Sequence, residues 1–132
     1  MKRTAVLFLT VDEVLAIHDE QLGLGGLPGL RDPGLLASAV HAPAVGYYFT
    51  LAQMAAVYAH GLAKNHAFVD VNKRTALAAA CSFLRLNGEG VRTTKETEDL
   101  MVNVAAGLAG RGSLRMHFIT LMDGDVEVDD ED

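Results

Sequence analysis

The run Thr75–Leu86, TALAAACSFLRL, constrains the fold more than any other part of this chain. Apolar residues occupy nearly every helical face of it, and Asn87-Gly88 follows as a left-handed stop. A helix that is apolar all round must be covered on several sides, so the run predicts a central helix with other helices packed about it.

The rest of the chain supplies those helices, each with its own start signal. Thr10 with Glu13 forms a capping-box pattern and opens a helix to about Leu22 through Val11, Val14, Leu15 and Ile17. Gly23 to Gly29 (GLGGLPG) has four glycines and a proline in seven residues and reads as a loop. Asp32-Pro33 gives an N-cap with proline at the first helical position, and the helix is expected to run to about His41, before Pro43. Thr50 with Gln53 repeats the capping box, and Leu51, Met54, Ala55, Tyr58 and Leu62 form one apolar stripe ending near Lys64. Thr93 with Glu96 starts a fifth helix through Leu100, Val104 and Leu108, and Ser113 starts a sixth carrying Leu114, Phe118 and Leu121. Val6–Leu9 and Val91–Thr93 are candidates for one very short β ribbon. The expected architecture is all-α, a compact bundle of about six helices around Thr75–Leu86.

Composition bounds the function. Half of the 132 residues are apolar, enough for one domain with a core that buries roughly two-thirds of the unfolded surface. No apolar run reaches the length of a membrane span, about 18 residues. The opening MKRTAVLFLT has a basic start, but its apolar run is too short for a signal peptide. Cys81 is the only cysteine, which excludes an intramolecular disulfide and points to a reducing cytoplasm. The formal net charge of −6 is uneven: the segment DGDVEVDDED at 123–132 holds seven acidic residues. Residues 1–122 carry eleven basic against ten acidic side chains, a net of +1. The expected division is therefore a domain over 1–122 and an acidic, solvated, disordered tail over 123–132.

One segment is unlike packing. His66-Ala-Phe-Val-Asp70-Val-Asn72-Lys73-Arg74 places an imidazole, a carboxylate, a carboxamide and two cations in nine residues, just ahead of the apolar helix. With Asn72 at the N-cap position, free backbone N–H groups, the positive end of the helix dipole, Lys73 and Arg74 would converge where a phosphate can sit. Asp70 is a candidate ligand for Mg²⁺, and His66 a candidate base for a hydroxyl proton. Phe68 alternates with these polar positions and reads as the anchor pinning the loop to the core. Two cations in a first helical turn oppose the dipole unless an anion sits there, which sets this cluster apart from ordinary turn residues.

The run HAFVDVNKRTA resembles the H-x-F-x-D-x-N-K-R-T motif of the Doc (death-on-curing) toxins, the small branch of the Fic superfamily. LTVDEVLAIHD at 9–19, GGLPGLRDPGLLASAV at 25–40 and AKNHAFVDVNKRTALAAACSFLRLNG at 63–88 also resemble that family, in its order and spacing. The resemblance implies the Fic/Doc fold, with the motif loop and the following helix gripping a nucleotide. It implies His66 as general base toward a Ser or Thr hydroxyl and Asp70 as the Mg²⁺ holder. Asn72, Lys73 and Arg74 would bind the nucleotide phosphates. Larger Fic proteins carry Gly-Asn-Gly-Arg where this chain has Val71-Asn72-Lys73-Arg74. In the Doc branch the lysine goes with transfer of the γ-phosphoryl group of ATP, rather than AMP, to a translation factor of the elongation factor Tu type, arresting translation. A small Phd-like antitoxin inhibiting in trans is the implied partner, in a type II toxin–antitoxin pair. Transfer of AMP by the same site, and a non-catalytic phosphate- or peptide-binding module, are the alternatives.

Other residues read as structural. Cys81 lies inside the apolar helix as an inert thiol. His18 is a packing residue near the cleft, Lys64 a helix-end cation, and GLGGLPG a turn. The Thr94–Asp99 run falls short of an internal inhibitory motif, and His60, His66 and Asp70 lack the spacing of a metal triad.

Overall fold

The structure, a computed structural model, describes residues 2–3, 5–122 and 127–128. Its elements in chain order are β1 (Lys2–Arg3), α1 (Val11–Leu22), α2 (Pro33–Val45), α3 (Leu51–Lys64), α4 (Asn72–Leu86), α5 (Lys95–Ala105), α6 (Arg111–Met122) and β2 (Glu127–Val128). The six helices form the all-α bundle that the start signals predict.

The capping chemistry explains most boundaries. The Glu13 N–H donates to Thr10 Oγ1 (3.1 Å) while the Thr10 N–H donates to Glu13 Oε1 (2.8 Å), a reciprocal box repeated at Thr50 and Gln53. The α2 N-cap is Asp32, whose Oδ1 accepts from the Leu35 N–H (3.0 Å). That helix continues through Pro43 instead of stopping before it. Proline in the last turn forgoes a single hydrogen bond, and its ring is buried against the core. α5 starts one residue later than expected, on a box of Thr94 with Thr97, because Thr97 is buried and its hydroxyl also meets His117 Nε2 on α6 (2.7 Å). It ends at Ala105 rather than passing through Leu108. Gly107 adopts φ 80°, the Leu108 N–H turns back to the Asn103 carbonyl (2.8 Å), and Leu108 projects into solvent. α6 begins at Arg111, two residues before Ser113.

The centre of the bundle is α3, not α4. Ten of the fourteen α3 residues are buried, and it packs against α2, α4, α5 and α6. α4 has seven buried residues of fifteen and lies on the α3 flank. α3 is itself rich in alanine, and all five of its alanines are buried; what leaves TALAAACSFLRL on the flank is that Leu77, Ala78 and Leu86 keep part of their surface open. Tyr58 of α3 is fully buried against Phe83 of α4 (ring centroids 5.0 Å apart), and its hydroxyl accepts the Leu9 N–H (2.9 Å). Burial pushes the Tyr58 hydroxyl pKa up to about 12.

The expected ribbon between Val6–Leu9 and Val91–Thr93 does not form, since both segments are irregular. A side chain replaces the missing strand. Asn87, fully buried, accepts the Leu7 N–H on Oδ1 (2.9 Å) and donates through Nδ2 to the carbonyls of Leu7 (2.9 Å) and Phe83 (2.9 Å). The strand pairing lies elsewhere: β1 and β2 run parallel, with Lys2 opposite Glu127 and Arg3 opposite Val128. Val128 is buried and its N–H donates to the Phe49 carbonyl (2.8 Å), so these two residues of the expected tail are paired with the domain. Residues 123–126 and 129–132 lie outside the described residues. Among the described residues no helix is long and apolar enough to cross a membrane.

Replacing Asn87 by alanine removes the partner of the Leu7 N–H and carbonyl and opens a gap at a fully buried position. The expected loss is about 2–4 kcal/mol, read as a lowered midpoint in urea unfolding.

Candidate active site

The motif segment is a loop held between two left-handed residues. After α3 ends at Lys64, His66 takes φ 52°; just before α4, Val71 takes φ 56° and ψ 31°. Histidine tolerates this region, whereas for a β-branched valine it is a true outlier costing of order 1–3 kcal/mol. The surroundings must therefore over-determine it.

They do so by tying up the loop carbonyls. The His66 carbonyl accepts Arg31 Nε (2.8 Å), and the Ala67 carbonyl accepts the N–H groups of Arg31 (2.8 Å) and Asp32 (3.0 Å). The Phe68 carbonyl accepts Asn72 Nδ2 (3.0 Å), the Asp70 carbonyl accepts His18 Nε2 (3.1 Å), and the Val71 carbonyl accepts the Thr75 N–H (3.0 Å). Phe68 is 3% exposed, its ring stacked on His18 at 3.7 Å between centroids and 8° between planes. The aromatic side chain thus holds the loop down while polar neighbours set its backbone.

α4 opens with no side-chain cap, so its first N–H groups are left to whatever enters the cleft in front of them. That cleft, of about 350 Å³, brings together His66, Asp70, Val71, Asn72, Lys73 and Arg74, with Ala105 of α5 across from them. His66, Lys73 and Arg74 are exposed there. Asn72 departs from its expected place. It is the first residue of α4, the N-cap being Val71, and both ends of its carboxamide are used on Phe68, where Oδ1 accepts the N–H (3.1 Å) and Nδ2 meets the carbonyl. With one Nδ2 hydrogen on the Phe68 carbonyl, the carboxamide keeps its second N–H, and Asn72 also offers the cleft its backbone N–H.

The loop Gly23–Gly29 is more than a plain turn, since it packs on Asp70, Val71 and Arg74, which line this cleft. The Leu27 N–H donates to Asp70 Oδ2 (3.0 Å), and Arg74 Nη2 donates to the Gly25 carbonyl. Gly26 has φ 137°, and a Cβ there would lie 2.6 Å from Val71 Cγ1 and 3.3 Å from Arg74 Nη2. Only glycine allows so close an approach. Four glycines in seven residues exceed what a turn needs, and that excess was the readable signal. His18 and Arg31, which hold the carbonyls of Asp70 and His66, carry no such signal because their partners are 52 and 35 residues away.

The Asp70 carboxylate accepts both the Leu27 N–H and, on Oδ1, the Val71 N–H (2.8 Å). These bonds, with Arg74 and Lys73 nearby, hold its carboxyl below the usual aspartate range. Asp70 is thus kept ionised, as a hard cation ligand must be. Among the described residues no three His, Cys, Asp or Glu side chains converge as a metal cage, so a divalent cation here would need oxygens from its own ligand. Lys64 reaches the turn at Gly107. Cys81 is buried on α4, and burial pushes its thiol pKa up, away from nucleophile chemistry.

The chain matches the family model described as the Fic/DOC family over residues 8–84. It is 39% identical over 104 residues to "Protein kinase doc" of Escherichia phage P1, covering 75% of this chain and 82% of that protein. It is 44% identical over 92 residues to "Toxin Doc" of Mycolicibacterium smegmatis, covering 64% of this chain and 71% of that protein. The model match takes in the glycine loop, the motif loop and almost all of α4; α5 and α6 lie beyond it.

The depressed Asp70 pKa has a pH consequence with a definite sign. Its stabilising effect on the two loops is present above the ordinary aspartate range and is lost as pH falls through the lowered folded value. Carboxyl ¹³C titration should find Asp70 titrating below the ordinary aspartate range, and Asp70→Asn should abolish this acid-side loosening of the Leu27 amide.

Proposed function

Because the chain belongs to the Fic/DOC family, we propose that it is a Doc-like toxin, a protein kinase that transfers the γ-phosphoryl group of ATP to a Ser or Thr hydroxyl of an elongation factor Tu-like translation factor. The observation that carries this reading is the uncapped start of α4, fronted by Lys73 and Arg74 and set in one cleft with Asp70 and His66. Phosphoryl transfer needs little from a protein beyond positioning and preorganised positive charge.

Each residue has a role in that reading. The backbone N–H groups at the head of α4 and the Lys73 ammonium hold phosphate oxygens. Lys73 puts a cation where a glycine would let the backbone itself approach, which favours charge on a terminal phosphoryl group. Arg74 is tied by one nitrogen to the Gly25 carbonyl and keeps its other N–H groups for the phosphates. Asp70 fits Mg²⁺, since it is a single ionised carboxylate beside a phosphate site, and each of its oxygens retains a lone pair after accepting one N–H. The ion, when bound, supplies charge neutralisation to the polyphosphate. His66, exposed at the mouth of the cleft, takes the proton of the attacking hydroxyl on a ring nitrogen. Phe68 anchors the loop, and Asn72 both bridges it to Phe68 and contributes its remaining Nδ2–H and its backbone N–H to the phosphates.

The active domain is assigned to residues 1–122, with a Phd-like antitoxin acting in trans as its inhibitor and the cytoplasm as its place of action. The relatives' names, one a kinase and one a toxin, support the toxin-kinase reading and, through it, an antitoxin partner.

Incubating the protein with Mg²⁺, elongation factor Tu and ATP labelled at either the γ or the α phosphate tests it. The expected result is γ label on the factor and no α label. Transfer of α label means AMP transfer by the same site, and transfer of neither by folded protein overturns the enzymatic reading. His66→Ala should lower transfer by about 10²–10⁴-fold with the melting temperature unchanged.

A further inference from the structure

We propose that His18, on the far side of the motif loop from the cleft, is a positioning residue for transfer: it holds the Asp70–Val71 peptide in the orientation that makes the site competent. The inference rests on the proposed function only in taking the head of α4 as the phosphate site.

The peptide between Asp70 and Val71 is under opposing forces. Turning this peptide plane by half a turn would change ψ of Asp70 and φ of Val71 together. It would carry Val71 from φ 56° to a negative φ of about −124° with ψ unchanged, out of the left-handed region that is costly for a β-branched residue. Backbone strain at Val71 therefore favours the flip. The flip would also reverse the Val71 N–H, breaking its bond to Asp70 Oδ1, and point a carbonyl oxygen toward the space where the phosphate and the carboxylate are needed. A carbonyl there repels an anion, and a released Asp70 carboxylate loses its orientation.

What opposes the flip is the hydrogen bond from His18 Nε2 to the Asp70 carbonyl (3.1 Å). The Asp70 carbonyl can only accept, so the imidazole must carry its proton on Nε2. The ring is well placed to hold, being 3% exposed on α1 and stacked face to face on Phe68, itself buried. His18 therefore fixes the peptide from α1, an element that supplies nothing to the cleft lining. Phe68 and His18 form one unit: the first anchors the loop and the second sets the peptide two residues on.

Three measurements test this. On the unmodified protein, long-range ¹H–¹⁵N NMR should show neutral His18 as the Nε2–H tautomer; an Nδ1–H tautomer overturns the proposal. His18→Phe keeps the stack on Phe68 and removes the donor, so affinity for Mg²⁺-ADP, read by calorimetry, and transfer rate should both fall about tenfold, the change expected for one lost hydrogen bond. His18→Gln, which keeps a donor, should fall less. Adding Val71→Gly to His18→Phe removes the penalty of the left-handed conformation and should recover most of the loss. A purely packing role for His18 would gain nothing from that second change, because it removes more side chain. Unaltered ADP affinity in His18→Phe, or no recovery in the double variant, overturns the proposal. If the chain transfers no phosphoryl group yet binds ADP in a His18-dependent way, the kinase reading fails and the positioning role stands.

Discussion

The left-handed Val71 at the head of α4 is the constraint on which the rest of the site depends. It leaves a long helix without a side-chain cap and aims its first amides at solvent, an arrangement that costs stability and is kept only by the bonds around it. Those bonds come from four separated parts of the chain: His18 on α1, Arg31 before α2, Leu27 in the glycine loop, and Asn72 on α4 itself. The helical bundle serves largely to deliver these four to one loop. α3, the buried centre, ends where the loop begins, and α4 is packed on its flank.

This arrangement separates two kinds of residue that lie side by side in the sequence. Phe68 and the Asn72 carboxamide shape the loop; His66, Lys73 and Arg74 face the cleft, and Asp70 bridges the two, its carbonyl held from behind and its carboxylate from the glycine loop. A phosphate drawn to the head of α4 would relieve the repulsion between the helix dipole and two adjacent cations. Charges that are mismatched on their own and matched by an anion are what a phosphoryl-transfer centre requires of its protein.

Much of this was legible in the sequence where the governing interaction is local. The Thr10–Glu13 and Thr50–Gln53 boxes, the Asp32-Pro33 start and the Gly88 stop are decided within a few residues, and the helices follow them. The motif residues were legible for the same reason, being close together. Readings failed where a distant partner decided. Asn72 is the exception: its partner Phe68 is only four residues back, and it looked like an N-cap because a cap and that return contact draw on the same carboxamide. Val6–Leu9 looked like a strand because of its apolar run, but Asn87, 80 residues on, takes the partner strand's place at Leu7. α4 looked central because its run is apolar on nearly every face, yet Leu77, Ala78 and Leu86 stay partly open. Pro43 looked like a stop because a proline's cost near a helix end depends on what its ring packs against.

The central claim is that the head of α4 is the phosphate site and that Asp70 serves it. Titrating ¹⁵N-labelled protein with Mg²⁺ and a non-hydrolysable ATP analogue reads it directly. The account predicts that the largest amide shifts fall on Asn72, Lys73 and Arg74, and that they weaken when Mg²⁺ is omitted or Asp70 is replaced by asparagine. Tight binding of the analogue that leaves those three amides unmoved would contradict it.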